Sequence, residues 1–386
     1  MAKTTNTFTN HDRRFMAMAL GLARRGLGNA WPNPAVGCVL VRPDLEGGRD
    51  GGGRVVGRGW TQPGGRPHAE TEALARAGDL ARGATAYVTL EPCCHTGKTG
   101  PCTEALIKAG VGRVVVAVGD PDPRVAGQGI AALEAAGIAV AQGLDETRAR
   151  EVNAGYFTRA QSGRPLVLLK AASSLDGRIA AVGGDSKWVT SDAARARGHL
   201  MRAQSDAILV GIGTVLADDP ELTCRLPGME ASSPARVVLD THLKTPPNGK
   251  LAASAKDVPL WIVTVPDYSP EAAKELEKTG AQVVRVAAGD DGRPDPVAVL
   301  SALARAGITR LLIEGGGTVA ATFLKAGLVD RLAWFHAPVV VGSDGVPAVA
   351  PLSVATMSDA LRFERLSMEL VGDDILEILA VRPRPA

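Results

Sequence analysis

The stretch that most constrains this chain runs from Pro67 to Thr103, PHAETEALARAGDLARGATAYVTLEPCCHTGKTGPCT. It opens with a His-x-Glu pair, His68 and Glu70, at the head of an apolar-periodic segment. A strand is predicted over 84–90. Pro92-Cys93 follows it and, after a Gly-rich loop, Pro101-Cys102 stands at the head of a second helical segment. One imidazole, two thiols and one carboxylate are thereby delivered to the ends of three consecutive elements. If a helix starts near His68, Glu70 lies about 200° around its axis. The two side chains then cannot face one point alike, which suits a metal ligand beside an acid/base group that is not a ligand. Cys102 precedes TEALIKAG, and a helix N-terminus stabilises the thiolate, the form that binds metal.

Hydrolytic zinc deaminases need this set: one His and two Cys to hold Zn²⁺, an open fourth position, and a Glu outside the ligand set to carry protons. His68, Cys93 and Cys102 are therefore the expected metal ligands, and Glu70 the expected catalytic residue. Other readings use the same residues. A lone His-x-Glu is common, and two buried thiols are often inert core residues. Cys94 or His95 could close the site into a structural zinc centre. A nucleic-acid base deaminase would share the chemistry. The ordered combination, with both Pro-Cys steps, favours a catalytic centre. Eight residues separate Cys93 from Cys102, a departure from the compact Pro-Cys-x-x-Cys signature.

A chain of 386 residues exceeds one ordinary core, so two domains are expected. Its 43 basic and 41 acidic residues leave a net charge of +2, which gives no electrostatic case for a nucleic-acid or membrane partner. Five cysteines is an odd count, and three of them fall in the metal-like pattern. No disulfide framework is expected, and a reducing, cytoplasmic setting is. The opening MAKTTNTFTNHDRRF lacks an apolar signal core, and no apolar run is long enough to span a bilayer.

Taken in order, Asn10 or Asp12 is expected to cap a helix through FMAMALGLARRG, which Trp31-Pro32-Asn33-Pro34 ends. Residues 35–41 read as a buried strand, 43–53 as an exposed hairpin tip, and 54–59 as the return strand. GRVVVAVGD, GIAALEAAG and IAVAQG continue an alternation of strand and helix, an α/β layered pattern. Residues 145–164 read as a polar helix and connector. Beyond them, 165–172 is a strand, and Asp176-Gly177 signals a hairpin to the next one. DAARARGHLMRAQ is helical, AILVG a buried strand, and GTVLADDPELTCR a polar loop. RVVLD, PLWIVT and QVVRV are further strands with helices between them. TRLLIEGGGTVAATFLKAG reads as strand, Gly-rich turn and helix, and the last segments as closing antiparallel strands. Glycines in that turn let backbone amides approach a phosphate at a helix N-terminus. A tight turn would look the same, and neither the dinucleotide-binding fingerprint nor the P-loop pattern is present.

Several of these motifs coincide with one family. WPNPAVGCVLV, HAE and TLEPCCHTGKTGPCTEALIKAG resemble the riboflavin-biosynthesis deaminases, in which the longer loop between the cysteines is the rule. KAASSLDGRIA, SKWVTS, LMRAQSDAILVGIGTVLADDPELTCR and LLIEGGGT resemble the reductase of the same pathway. The resemblance covers nearly the whole chain. It implies an α/β protein of two domains: a cytidine-deaminase-like α/β/α domain over residues 1–148 and a dihydrofolate-reductase-like α/β domain over 165–386, with a helical linker at 149–164. It implies zinc-dependent deamination of a phosphoribosylated pyrimidine, then reduction of its ribosyl group to ribityl with NADPH, in a homo-oligomer. By motif position, Asn33 would hydrogen-bond the substrate of the first domain. In the second, Ala172, Trp188, Thr214, Asp218, Gly315, Gly316, Gly317 and Thr318 would line the cofactor. Ser186, Arg202, Leu222, Arg225 and Glu314 would line the substrate. Guanidinium groups at Arg202 and Arg225 suit its phosphate. Lys170 and Asp176 are polar residues near the expected nicotinamide site, and no proton donor for the reduction stands out.

Overall fold

The structure is a computed structural model that describes residues 8–43, 53–97, 100–187 and 189–382. Two compact units divide the chain, Met1–Ser162 and Gly163–Ala386. Most of the expected hairpin tip at 43–53, and Trp188, lie outside the described residues.

The first unit begins with α1 (Asn10–Ala23). Its cap is Thr9 rather than Asn10 or Asp12. The Thr9 hydroxyl accepts from the Asp12 amide at 3.1 Å, and the Asp12 carboxylate accepts from the Thr9 amide at 2.9 Å, a closed capping box. Asp12 is held in the third helical position because its other oxygen takes the Tyr87 hydroxyl at 2.9 Å and Arg113 at 2.7 Å. Then come β1 (Gly37–Arg42), β2 (Arg54–Trp60), α2 (Ala69–Ala77), β3 (Thr85–Val88), α3 (Cys102–Lys108), β4 (Arg113–Val116), α4 (Gln128–Ala135), β5 (Ala139–Gln142), α5 (Glu146–Val152) and α6 (Ala154–Ser162). The strands form one sheet in the order β2-β1-β3-β4-β5. β1 is antiparallel to β2 and β3, and the remaining pairs are parallel. β1 and β3 are buried along almost their whole length, as strands covered on both faces must be.

Helix α2 lies unusually close to β2, and two glycines permit it. A Cβ on Gly57 would fall 2.2 Å from the Ala73 carbonyl oxygen, and one on Gly59 would fall 2.1 Å from that of Ala69. The segment expected as a linker is part of this unit. Ala149, Val152 and Phe157 join its core, and the Asn153 amide both accepts from Ala35 N (2.9 Å) and donates to Ala35 O (3.0 Å). The division between the units falls after α6 because these contacts tie α5 and α6 to the first core.

The second unit runs β6 (Leu166–Ser173), β7 (Arg178–Ala180), α7 (Asp192–Ala203), β8 (Ala207–Gly211), α8 (Ile212–Asp218), β9 (Ala235–Leu239), α9 (Lys250–Ala253), β10 (Leu260–Thr264), α10 (Pro270–Lys278), β11 (Gln282–Arg285), α11 (Pro296–Arg305), β12 (Arg310–Ile313), α12 (Gly317–Lys325), β13 (Arg331–His336), β14 (Val346–Pro347), β15 (Phe363–Val371) and β16 (Asp374–Val381). Among the described residues nine strands make one sheet, in the order β11-β10-β9-β8-β12-β6-β13-β16-β15. It is parallel from β11 to β13 and antiparallel from there to β15.

Two local expectations fail here. The first part of GTVLADDPELTCR is helical, forming α8 directly off the end of β8. The Asp176-Gly177 turn forms, but its flanking strands do not form a ladder: β6 pairs with β12 over Leu166–Leu169 and with β13 over Leu168–Ser173, and β7 pairs with β14. The Asp176 carboxylate accepts from the Val341 and Gly342 amides, at 3.1 and 2.7 Å, which ties the turn to a distant loop.

Candidate active sites

His68 is the N-cap residue of α2, so its imidazole leaves the helix where the backbone is still extended, and Glu70 lies in the first turn. Cys93 follows β3 in a loop, and Cys102 is the first residue of α3. The Cys93 carbonyl accepts from the Thr103 amide at 3.2 Å and the Thr103 hydroxyl at 3.3 Å, which clamps the loop to α3. His68 Nδ1 then stands 3.3 Å from Cys102 Sγ and 3.6 Å from Cys93 Sγ, and all three donor atoms lie within 4.8 Å of one another. A tetrahedral zinc at ordinary bond lengths sets its N and S ligands about 3.5 Å apart, so this chain's three donors fit that ion. Neither Cys94 nor His95 completes the group among the described residues. The Cys94 thiol instead reaches the Arg124 carbonyl at 3.5 Å. Three protein donors leave one tetrahedral position for a ligand from the adjoining cavity.

The electrostatics suit acid/base work. Burial pushes Glu70, 3% exposed, up to about 7. The hydrogen bond from Cys102, joined by those from His68 and the Cys102 amide, draws the Cys93 thiol down to about 4. The same Cys93 contact, with burial, holds Cys102 well above the ordinary thiol range. His68 is raised by its hydrogen bond with Cys93. A thiol drawn toward its anionic form thus stands beside a carboxyl group raised toward neutrality.

His68, Glu70 and Cys93 line a cavity of about 310 Å³, with Asn33, Arg66, Asp120, Asp122, Tyr156 and Arg159 around it. The Asn33 amide donates to the Gly65 carbonyl at 2.9 Å, which sets its oxygen toward other partners. Asp120 accepts from the Tyr156 hydroxyl at 3.0 Å. Sequence reasoning missed Glu91, which is buried and accepts from the amides of Asp120, Gly127, Gly129 and Ile130 at 3.0 to 3.2 Å. It fixes the cavity wall and the start of α4, and nothing in its local sequence separates it from a surface carboxylate.

The second unit holds a cavity of about 300 Å³ in which Ala172, Ser186, Arg202, Arg225 and Glu314 meet Lys170 and His199. Arg202 grips Glu314 with two bonds, Nε to Oε1 at 2.8 Å and Nη2 to Oε2 at 2.9 Å. Its third nitrogen donates to the Thr223 carbonyl at 3.0 Å. Arg202 and Lys170 outweigh the burial of Glu314 and hold its carboxyl at about 2. Leu222 does not line this cavity. Its side chain is buried, and its backbone is left-handed at φ 56. His199 was also missed. It precedes Arg202 by three residues on α7, one helical turn, and that spacing was the available signal.

The cofactor candidates lie at the ends of neighbouring parallel strands. β8 leads into α8, which carries Thr214 and Asp218, and β12 leads into the Gly315–Thr318 turn. A Cβ on Gly315 would press on Val319 at 2.8 Å, and one on Gly317 on the Pro347 carbonyl at 2.7 Å. At Gly316 the space is open, with Thr214 Oγ1 the nearest atom at 3.8 Å. The turn therefore offers amides at the N-terminus of α12 beside a hydroxyl, an arrangement that accepts phosphate. Asp218 is exposed at the far end of α8.

Comparisons with known proteins agree with this division. Residues 9–118 match the family described as cytidine and deoxycytidylate deaminase zinc-binding region, and residues 165–376 match the RibD C-terminal domain. The riboflavin biosynthesis protein RibD of Aquifex aeolicus is 38% identical over 95% of this chain and 97% of its own length. Among solved structures, Acinetobacter baumannii RibD aligns with a TM-score of 0.83 at 38% identity, over 96% of this chain and 99% of the other. A Thermotoga maritima protein described as a diaminohydroxyphosphoribosylaminopyrimidine deaminase/5-amino-6-(5-phosphoribosylamino)uracil reductase aligns with a TM-score of 0.81 at 33% identity, over 96% and 99%. With its fold, its His-Cys-Cys donor set and both halves matched in order, this chain belongs to the RibD family of bifunctional riboflavin-biosynthesis deaminase/reductases.

Proposed function

We propose that this chain removes the ring amine of a phosphoribosylated diaminopyrimidine in its first unit, and reduces the ribosyl group of the product to ribityl with NADPH in its second. The observation that carries the reading is the convergence of His68, Cys93 and Cys102 at zinc-ligand spacing beside a buried Glu70. Bound there, zinc supplies Lewis acidity that lets water ionise near neutral pH. Glu70 takes the proton from the attacking water and hands it to the departing nitrogen. The carbon–nitrogen bond breaks, ammonia leaves, and a ring carbonyl remains. Asn33 orients the ring, and Arg66 and Arg159 bring positive charge to the cavity that receives the phosphate.

In the second unit, Ala172, Thr214, Asp218 and the Gly315–Thr318 turn hold the cofactor. Ser186, Arg202, Arg225 and Glu314 hold the substrate, with the backbone at Leu222 shaping the loop that carries Arg225. Trp188 joins the cofactor residues on sequence grounds. Hydride transfer rests on positioning, because the cofactor carries the chemistry.

The substrate is a small molecule, and no nucleic-acid partner is proposed. Among the described residues no helix is long and apolar enough to cross a membrane. A reducing cytoplasm suits five free cysteines, two of them proposed metal ligands. A homo-oligomer is supported by the edge strand β15. Met368 and Leu370 share one face of it at 62 and 78% exposure, next to Leu366 at a bulge, and a second copy would cover them. Sedimentation as a monomer at micromolar concentration would remove that part of the proposal.

The deciding experiment follows ammonia release and NADPH oxidation together, on zinc-loaded protein with the diaminopyrimidine ribotide. Ammonia is expected first and NADPH loss second. NADPH loss without ammonia would contradict the order, and neither signal would overturn the proposal.

A further inference from the structure

The arginines expected to bind the substrate phosphate in the reductase cavity are already engaged. Three of the five Arg202 N–H groups are used, two on Glu314 and one on the Thr223 carbonyl. Arg225 is exposed and paired with Glu221 at 3.2 Å. Arg195 donates to the Thr190 carbonyl at 2.7 Å and pairs with Asp192. His199 lines the same cavity and is differently placed. Its Nδ1 lies 3.2 Å from the Thr223 carbonyl oxygen and 3.3 Å from the Arg225 amide nitrogen. That nitrogen therefore stands between an acceptor and a donor. Accepting from the Arg225 amide, the neutral ring carries its proton on Nε2; donating from Nδ1 to Thr223, it leaves Nε2 as an acceptor. The cationic ring donates from Nδ1 to Thr223 without having to move and carries Nε2–H as well. Nε2–H is therefore open to a ligand in the cation and in one neutral tautomer.

We infer that His199 is a specificity-determining residue of the reductase, donating from Nε2 to the substrate's 5′-phosphate and taking up one proton as the dianion binds. This rests on the reading that the cavity holds the phosphoribosyl substrate. The charges around the ring argue for the coupling. Arg195 and Arg202 come from its own helix, Glu221 and Arg225 from the loop after α8, Glu314 from the end of β12, and Lys170 from β6. With Asp192, the partner of Arg195, four cations stand against three carboxylates, an excess of one positive charge. Burial, Arg202 and Arg225 keep the imidazole below its ordinary range in the free protein. A phosphate monoester, doubly charged above a pKa of about 6, reverses that balance when it arrives. The proton it attracts is accommodated because Thr223 is already held in place by Arg202.

The test uses the full chain and separates this role from a purely structural one. In His199→Asn the amide can occupy the place of Nδ1 and keep the loop, but it cannot reach the cavity. In His199→Gln the amide can reach the place of Nε2. With wild-type protein, KM for the deaminated substrate should rise with pH above neutrality by up to about tenfold per unit, with kcat nearly flat. His199→Asn should raise KM about tenfold near pH 6.5 and abolish the slope. His199→Gln should recover part of the affinity but not the slope. A dephosphorylated substrate should not distinguish the three proteins. Wild-type KM and slope in His199→Asn would overturn the inference. Calorimetry with ribose 5-phosphate, in two buffers of different ionisation enthalpy, counts the proton independently of turnover. No proton uptake there would also overturn it. Proton-linked binding in a protein that reduces nothing would sink the reductase reading, and with it the role of His199 in substrate choice, while still assigning the bound phosphate to the imidazole.

Discussion

Two glutamates, one in each half of the molecule, show how surroundings choose a carboxylate's task. Glu70 and Glu314 both lie against cavities with little exposure, at 3% for the first and 11% for the side chain of the second. Burial, with the charge of Cys93 beside it, pushes Glu70 up to about 7. At Glu314 the forked contact with Arg202 overcomes burial and drives the group to about 2. The first can gain and lose a proton at working pH. The second is a fixed charge and can only position. On the proposed mechanism, the deaminase half keeps its proton carrier in the protein. The reductase half uses its titratable carboxylate as scaffold and leaves the chemistry to a cofactor.

The largest expected effect breaks the halves apart completely. Stripping zinc with a chelator should abolish ammonia release while NADPH oxidation with the deaminated substrate continues. Loss of both would mean that the halves do not function separately. Next, Glu70→Gln should lower deamination by roughly 10²–10⁴-fold with zinc still bound and reduction intact. In the wild type, deamination should fall toward acid pH, because Glu70 must start unprotonated. A rate that stays flat down to about pH 4, the ordinary carboxyl range, would remove Glu70 from that role. Third, Arg202→Ala would leave Glu314 buried without its partner, a change that costs about 3–5 kcal/mol. A melting temperature of the second unit within a degree of wild type would show that the pair is not structural.

The smallest effect is the sharpest comparison. Folded metal-free protein binds a proton at Glu70 more tightly than the unfolded chain, where the ordinary value is 4.5. That stability is present below pH 4.5 and lost as pH rises to about 7, so Glu70→Gln should stabilise the metal-free protein at pH 8 by up to about 3 kcal/mol. Glu314 is depressed, so its contribution is present above pH 4.5 and lost toward pH 2. Glu314→Gln should therefore destabilise by about the same amount at pH 8. Denaturant titration of both variants reads the two signs directly, and equal signs would refute the contrast.

The zinc quartet was legible because it is nearly local. Four groups between residues 68 and 102 sit at the ends of successive elements, so their order in the chain already resembles their order in space. The reductase cavity draws on residues from Lys170 to Phe335, gathered by a sheet in which β6 lies between β12 and β13. No window of sequence contains it, and only the family resemblance brought Arg202 and Glu314 onto one list. The Asp176-Gly177 turn shows the limit of local signals. The turn chemistry was right, but β7 takes its partner from β14, far along the chain, and no local signal distinguishes that strand from β6. Thr9 took the cap because Asp12 was committed to Tyr87 and Arg113, partners 75 and 101 residues away. His199 escaped because one histidine on an amphipathic helix looks like any surface residue until its loop partners are known.

The glycines at 57 and 59 have a bearing on how this metal centre could be lost. They lie under α2, and the helix they admit carries His68 at its first corner. Zinc tolerates errors of about 0.2 Å in its bond lengths, whereas a single methyl group on Gly59 would meet the Ala69 carbonyl at 2.1 Å. The address of the imidazole is therefore written in two missing carbon atoms on the opposite side of the helix. An alanine there would be a deaminase lesion that no inventory of ligands would flag.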